Sequence, residues 1–412
     1  AIAAFENAVA RTSDDSHHWA MIQTNLGNGL SDRYARTGQL ADLERAIAAC
    51  EDALAHDIPD SPNRAAHQIN LSLKLRARYV RFGRPIDLKL AVALVREACL
   101  SLEGIANDVS LRAARMWAKL ALACQSWEET LQAATQGHAT LLSLDRASIL
   151  AEERLSWRRE VQGLAAAEAY ACMRLGGDPQ AAVLALESGQ AGQLNAALGR
   201  GRDRELLVRL RGDDSALFTA YQAAAAEARA AQSAGGDIWR NTSSVQPDAA
   251  TIRARATAAQ KALDDVVARI AARPGYEALF SPLAFADVAA AVEDAPMAYL
   301  ATTPAGSLIL LLHKSRTGVA IKTLWADLTS DELDRLQVRR AVAEGNVGPV
   351  EGGLLWAQIR GTRLGQELAD TLPKLGEGLM APLAAQLREM NATAITLIPG
   401  GELNLLPLHA AT

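Results

Sequence analysis

The sequence predicts a mainly α-helical protein, built of stacked helical hairpins and followed by a smaller α/β portion. Three observations predict it. Alanine is abundant while aromatic residues make up only 4% of the 412 residues; alanine is the strongest helix former and lets helices approach closely. The N-terminal hundred residues repeat themselves in one register. After about Pro274 the helical pattern gives way to short apolar runs broken by turn residues.

The repeat places Gln23, Asn25, Leu26, Arg33, Tyr34, Arg36 and Gly38 on Gln68, Asn70, Leu71, Arg78, Tyr79, Arg81 and Gly83. In the same register Asp42, Leu43 and Ala46 fall on Asp87, Leu88 and Ala91. A period of this size means stacked helical hairpins. Leu26, Leu30 and Tyr34 form one apolar stripe of a first helix. Gly38 follows it, where a left-handed residue ends a helix. Asp42, repeated as Asp87, is expected to cap the second helix, whose inner stripe is Ala46, Ile47 and Cys50. Ser61-Pro62 reads as N-cap and first-turn proline of the next hairpin. Ala1-Ile2-Ala3-Ala4 matches Ala46-Ile47-Ala48-Ala49, so the chain is expected to start at a second helix, with native sequence preceding Ala1.

Beyond about residue 105 the repeat decays, but helical spacing persists. Trp117, Leu120, Cys124 and Trp127 read as one stripe. Arg154–Leu175 and Pro179–Leu198 read as a hairpin broken at Gly176-Gly177-Asp178-Pro179. Residues 199–212 carry five arginines interleaved with acids, the pattern of a solvated helix rather than an anion patch. Alanine-rich helices are expected over 215–232 and 248–272, with a loop over 233–247.

Ala298–Thr302 and Leu308–His313 read as a β-hairpin, and Val319–Trp325 as a third strand. Thr329-Ser330-Asp331-Glu332 opens a helix. Residues 345–353 read as a loop, and Leu354–Met390 as helix with a break near Pro373, loosened by Gly376 and Gly378. Ala394–Ile398 reads as a short buried strand, followed by a Pro399-Gly400-Gly401 turn and a second strand-like run, Leu403–Leu408. Strands alternating with helices imply an α/β layer, expected to be incomplete at Thr412.

Composition excludes several functions. The net charge of −5 argues against nucleic acid, which selects basic surfaces. The longest apolar runs, such as Leu308–Leu312, fall far short of the roughly 20 residues of a membrane span. Cys50, Cys99, Cys124 and Cys172 are widely spaced, form no Cys-x-x-Cys pair, and read as buried reduced thiols of a cytoplasmic protein. No clustered ligands suggest a metal or cofactor.

Several segments resemble one known family. Asn25-Leu26-Gly27-Asn28, Arg33–Gly38 and Asp42–Ile47 are similar to the TPR repeats of actinobacterial type. Ala185-Leu186-Glu187-Ser188-Gly189-Gln190-Ala191 resembles the Leu-Glu-x-Gly-Arg signature that closes such arrays, with Gln190 at the usual arginine. Arg273-Pro274-Gly275-Tyr276 resembles the Pro-Gly-Phe before the first β-segment. Ile398–Ala411 resembles the CHAT strand–turn motif Pro-x-Gly-x-Leu-x-x-Leu-Pro, where the family often has histidine at the position of Gly400. The resemblance implies a TPR-like superhelix over 1–199, a helical linker over 200–273, and the N-terminal part of a caspase-like CHAT domain over 274–412.

Such peptidases use a cysteine thiolate activated by histidine. In the family that histidine lies in a His-Gly pair; no histidine here precedes glycine, and no cysteine follows Cys172. No catalytic residue is therefore assigned. His409 and His313, each expected at a strand end, read as packing or hydrogen-bonding groups. His17-His18 lacks a third metal ligand. The resemblance implies a sensor or scaffold that controls proteolysis; the other reading is a non-enzymatic adaptor. In both, a protein or peptide would occupy the repeat groove. Asn25 and Asn70 are the candidate contact residues, with hairpin packing as their alternative role.

Overall fold

The computed structural model describes residues 1–13, 18–57, 63–102, 108–147, 157, 163–198, 202–237, 249–280, 283–337, 340–343, 346–349, 353–354, 357–358 and 364–411. Among them the protein is mainly helical, with a small four-stranded mixed sheet near the C-terminus. The helices are α1 (Ile2–Arg11), α2 (Trp19–Thr37), α3 (Leu40–Ala55), α4 (Arg64–Phe82), α5 (Pro85–Ser101), α6 (Asp108–Ala123), α7 (Trp127–Ala147), α8 (Leu164–Arg174), α9 (Pro179–Leu198), α10 (Arg202–Asp213), α11 (Ser215–Asp237), α12 (Ala249–Ala271) and α13 (Phe285–Ala290). Then follow β1 (Met297–Thr303), β2 (Gly306–Ser315), β3 (Gly318–Ala326), α14 (Ser330–Gln337), β4 (Arg340–Ala343), β5 (Asn346–Pro349), α15 (Leu364–Leu375), α16 (Ala381–Glu389) and β6 (Thr396–Pro399).

Two compact units emerge. One comprises Ala1–Leu120, Thr135–Val161 and Gln193–Ser281; the other comprises Ala121–Ala134, Gln162–Gly192 and Pro282–Thr412. The sequence reading instead divides the chain into contiguous parts at 199 and 273.

In the first unit, α2 packs on α3 and α4 on α5 as two hairpins. Each turn is made the same way. Gly38 and Gly83 take φ of +69° and +65°, and their N–H groups bond the carbonyls of Tyr34 and Tyr79 at 2.8 and 2.7 Å. A left-handed residue there ends the first helix and lets the next begin two residues later. α1 lays Ile2, Phe5 and Val9 on Leu26, Leu30 and Ala46. Ser61 and Pro62 lie outside the described residues; the residue before α4 is Asn63.

Asp42 and Asp87 do not cap. Gln39 and Arg84 occupy the cap positions without a side-chain bond, and each aspartate sits in the first turn, buried. Asp42 receives Arg33 Nε at 2.7 Å and Nη2 at 2.5 Å. Asp87 receives Arg78 Nε at 2.9 Å and Nη2 at 2.8 Å. A forked guanidinium–carboxylate pair inside the hairpin is the stronger bond, and it explains why both residues repeat together.

The expected stripe from Trp117 to Trp127 is broken. α6 ends at Ala123, Gln125 has a positive φ of 55°, and Trp127 opens α7, so Cys124 is exposed. α11 and α12 pair closely, and Leu210, Tyr221, Ala225, Leu263, Ile270 and Tyr276 lie in one apolar cluster. α11 extends to Asp237; most of the expected 233–247 loop, residues 238–248, lies outside the described residues, as does most of 154–163. Side chains from this helical pair satisfy carbonyls left open at helix ends. Tyr221 hydroxyl donates to Arg146 O at 2.9 Å, Arg229 to Ala147 O at 2.5 Å, and Arg253 to Ser101 O at 3.0 Å. The arginine-rich α10 carries the i,i+4 pair Arg209–Asp213 at 3.2 Å, as a solvated helix does.

In the second unit the sheet order is β3-β2-β1-β6. β1 and β2 are antiparallel with Tyr299 opposite Leu310; β3 continues antiparallel with Thr323 opposite Leu310; β6 runs parallel to β1 with Ile398 beside Tyr299. The expected hairpin and third strand are therefore present. So is the α14 start: Glu332 N–H donates to Thr329 Oγ1 at 3.2 Å and Thr329 N–H to Glu332 at 2.9 Å, a reciprocal cap. Leu300, Ile309, Leu311, Leu375, Leu379, Leu383 and Leu403 lie in the core cluster beneath the sheet.

Three expectations fail here. Residues 346–349 form β5, paired with β4, where a loop was expected. Pro373 does not break its helix; the irregularity falls at Gly376 and Gly378, where α15 passes into a π-turn at Gly376–Met380 and on into α16. The turn precedes Pro382, which has no N–H to give Gly378 O; that carbonyl accepts the Leu328 N–H at 3.0 Å instead. Leu403–Leu408 is not a strand but part of two 3₁₀ turns, Gly401–Leu405 and Leu408–Ala410. Among the described residues no helix is long and apolar enough to cross a membrane.

Candidate functional site

The two hairpins share a scaffold and differ on their surfaces. Three contacts between side chains of α2 or α3 and side chains of α4 tie one to the next. Lys74 Nζ donates to Asn28 Oδ1 at 2.7 Å; Arg78 Nη1 reaches Glu44 at 2.8 Å; Thr24 Oγ1 and His67 Nδ1 lie 2.7 Å apart. All three α4 residues belong to the helix's inner side. Burial pushes the Lys74 ammonium down from its ordinary range. It also pushes His67 down, against the opposing pull of Asp57, whose carboxylate lies 4.0 Å from Nε2; Arg64 adds to the depression.

The outward side of α4 is different. Helical spacing places Asn70, Leu73, Ala77 and Val80 along it, opposite Leu71 and Leu75, which are buried. Leu73 is 39% exposed and Val80 72%. Their register equivalents on α2 are Asn28 and Ala35. At the hairpin tip Phe82 is 44% exposed beneath the Arg84 guanidinium, 5.3 Å from its ring centre; the equivalent of Phe82 is Thr37. α5 repeats the contrast on its own outer side, where Ile86 and Leu90 are exposed and stand at the positions of Ala41 and Arg45. Arg81, Arg84 and Lys89 are exposed around this tip, while its one carboxylate, Asp87, is buried against Arg78.

Exposed large apolar side chains grouped on one element mark interaction surfaces. Surrounding cations select an acidic partner. Asn70 lies on this outward side and is half-buried; Asn25 holds the equivalent position on α2, also half-buried. The structure thus puts one of the two candidate residues beside the apolar stripe and the other on the neighbouring first helix. Leu73, Val80 and Phe82 escape sequence reasoning because an apolar residue in a helix reads as core. The signal that finds them is the comparison with Asn28, Ala35 and Thr37 in the same register.

The remaining candidates scatter. His18 precedes α2; His17 lies outside the described residues. His313 sits within β2 with Nδ1 3.1 Å from Lys314 O, and His409 is exposed in a 3₁₀ turn rather than at a strand end. Cys50 and Cys99 are buried as expected, but Cys124 is exposed and Cys172 partly so. Burial raises the Cys50 and Cys172 thiols, whereas a nucleophilic thiol needs the opposite shift. Among the described residues no group of three or more His, Cys, Asp or Glu side chains could hold a metal ion. Comparison with protein-family models, curated proteins and solved structures returned no match.

Proposed function

We propose that the chain is a TPR-type repeat scaffold joined to the opening part of a CHAT-like α/β domain of a caspase-like cysteine peptidase. In this reading it binds a protein or peptide partner in the cytoplasm and holds or positions it, and does no peptide-bond chemistry itself. The single observation behind the binding role is the outward side of α4, where Leu73 and Val80 stand exposed in place of Asn28 and Ala35. Stacked hairpins offer an extended surface of this kind to partners.

Support for the peptidase link is the resemblance at 185–191 and 398–411. One contact joins the first of these segments to the sheet: Tyr299 hydroxyl of β1 donates to Glu187 at 2.6 Å. Burial raises the Cys50 and Cys172 thiols, in keeping with both this reading and that of an adaptor without an enzymatic role, since neither places chemistry on them.

A photo-crosslinking residue at position 73 or 80 should capture one discrete partner in cells, and the same residue at position 35 should not. Equal capture from all three positions would refute the α4 assignment. For the chemistry, the 412-residue chain should leave fluorogenic peptides intact. Cleavage abolished by a thiol alkylator would overturn the holding role.

A further inference from the structure

A second surface, in the other unit, has its own recognition chemistry. Trp127 at the start of α7, Tyr170 and Arg174 of α8, and Trp325 of β3 come together there. Tyr170 is the buried centre, with its ring 5.8 Å from Trp127 and 5.0 Å, edge-on, from Trp325. Its hydroxyl donates to Ala305 O at 2.8 Å, in the turn between β1 and β2. Gly306 is required beside it: its φ is +126°, and a Cβ would lie 3.2 Å from the Tyr170 hydroxyl and from Ala326 O. Arg174 lies over this aromatic group, 3.9 Å from the Trp325 ring centre, 5.1 Å from Tyr170 and 5.9 Å from Trp127. One Nη2 hydrogen is used, donated to the Tyr170 hydroxyl at 2.8 Å.

What this arrangement leaves open decides its use. Arg174 is exposed, and Trp127 and Trp325 are half-exposed. Among the described residues Arg174 has no carboxylate partner. Asp178, four residues further along the chain, accepts the Gln180 N–H at 2.9 Å. A guanidinium has five N–H donors in a planar fork. A cation–π contact with an indole holds the guanidinium in place without using up its N–H donors. Tryptophan, tyrosine and arginine are also the residues that dominate binding energy at protein interfaces.

We infer that Arg174, held over Trp325 and flanked by Trp127, receives a single carboxylate from a peptide partner whose adjacent side chain is apolar and rests on the two indoles. A carboxylate fits better than a phosphate. Phosphate recognition gathers several cations, and here one arginine stands among aromatic rings. This surface is separate from the outward side of α4, and its test does not depend on that assignment.

The test is fluorescence anisotropy on the full 412-residue chain. The probe is a fluorescein-labelled Ser-Leu-Glu-Leu-Gly peptide amide; the comparators carry glutamine or phosphoserine in place of glutamate. The glutamate peptide should bind about tenfold more tightly than the glutamine peptide, the gain expected of a charge-assisted fork. That preference should fall to within about twofold in Arg174→Gln, and mostly vanish in Arg174→Lys, because an ammonium neither stacks nor forks. Circular dichroism checks that both variants fold. In the unaltered chain the glutamate peptide should quench tryptophan fluorescence more than the glutamine peptide does, a readout that needs no variant. Equal affinity for the two peptides, a preference that survives Arg174→Gln, or a phosphoserine peptide about tenfold tighter than glutamate would each overturn the carboxylate site.

Discussion

The first and second hairpins are nearly the same object from inside and different objects from outside. Leu26 and Leu71, Leu30 and Leu75, Leu43 and Leu88, and Ala46 and Ala91 are buried in both. The forked pairs Arg33–Asp42 and Arg78–Asp87 and the left-handed Gly38 and Gly83 recur. On the outside, Ala35, Thr37, Ala41 and Arg45 become Val80, Phe82, Ile86 and Leu90, and Asn28, which is half-buried and bonds Lys74, becomes the exposed Leu73. The shared positions build the hairpin. The divergent ones put apolar area into water, which folding alone gives no reason to do.

If the shared positions are structural, breaking them should cost stability in proportion to burial. The largest effect is expected for Asp87→Ala, which leaves Arg78 without its forked partner; removing one member of a buried pair costs about 3 kcal/mol. Asp42→Ala should cost clearly less, because Arg33 is 37% exposed and water screens its charge. The urea midpoints of the two variants measure the difference, and equal shifts would contradict this ranking.

Gly27 sharpens the contrast next. A Cβ there would meet Cys50 Sγ at 2.8 Å and Ala46 O at 3.0 Å. Gly27→Ala should therefore destabilise by about 2 kcal/mol through overpacking. Its equivalent in the second hairpin already carries a side chain, Ser72, bonded to Ile69 O at 2.7 Å. Gly83→Ala should cost about 1 kcal/mol for the left-handed backbone alone, since nothing lies within 4 Å of the added carbon. Thermal melting of the two variants should keep that order.

The smallest expected effect is a pH dependence that belongs to the second hairpin only. His67 stands where the first hairpin has Ile22. Its folded pKa lies below the ordinary 6.5 because burial disfavours the imidazolium, with Asp57 opposing and Arg64 reinforcing. The unfolded chain therefore takes up the proton first. The stability His67 confers is whole above pH 6.5 and is lost as pH falls from there towards the folded value. In His67→Ile, urea midpoints between pH 7 and pH 5 should fall less steeply than in the unaltered chain; an identical slope would remove His67 from the account.

How much of this was legible in the sequence depends on the range of the interaction. Gly38 and Gly83 were readable because a helix stop is local. The identity of Asp42 with Asp87 was readable, but its reason was not: an aspartate in a first turn can cap or pair, and only the fold brings Arg33 against it. Leu403–Leu408 looked like a strand because a short apolar run carries no period that separates strand from tight turn. Gly376 and Gly378 mark where the helix beyond Pro373 loosens, but residue spacing does not say that it does so as a π-turn. Asn70 was identified without Leu73 and Val80, since exposure of an apolar helical residue depends on what fails to cover it. Trp127, Tyr170, Arg174 and Trp325 come from three distant segments, and no spacing rule unites them.

The central claim is that the outer face of α4, rather than the hairpin scaffold, carries recognition. It is tested most directly by giving α4 the surface of α2. In Leu73→Asn with Val80→Ala, capture of the crosslinked partner by the purified chain should weaken at least about tenfold, while the urea midpoint stays within about 0.5 kcal/mol of the unaltered protein, as surface changes do. Undiminished capture by a folded double variant would contradict it.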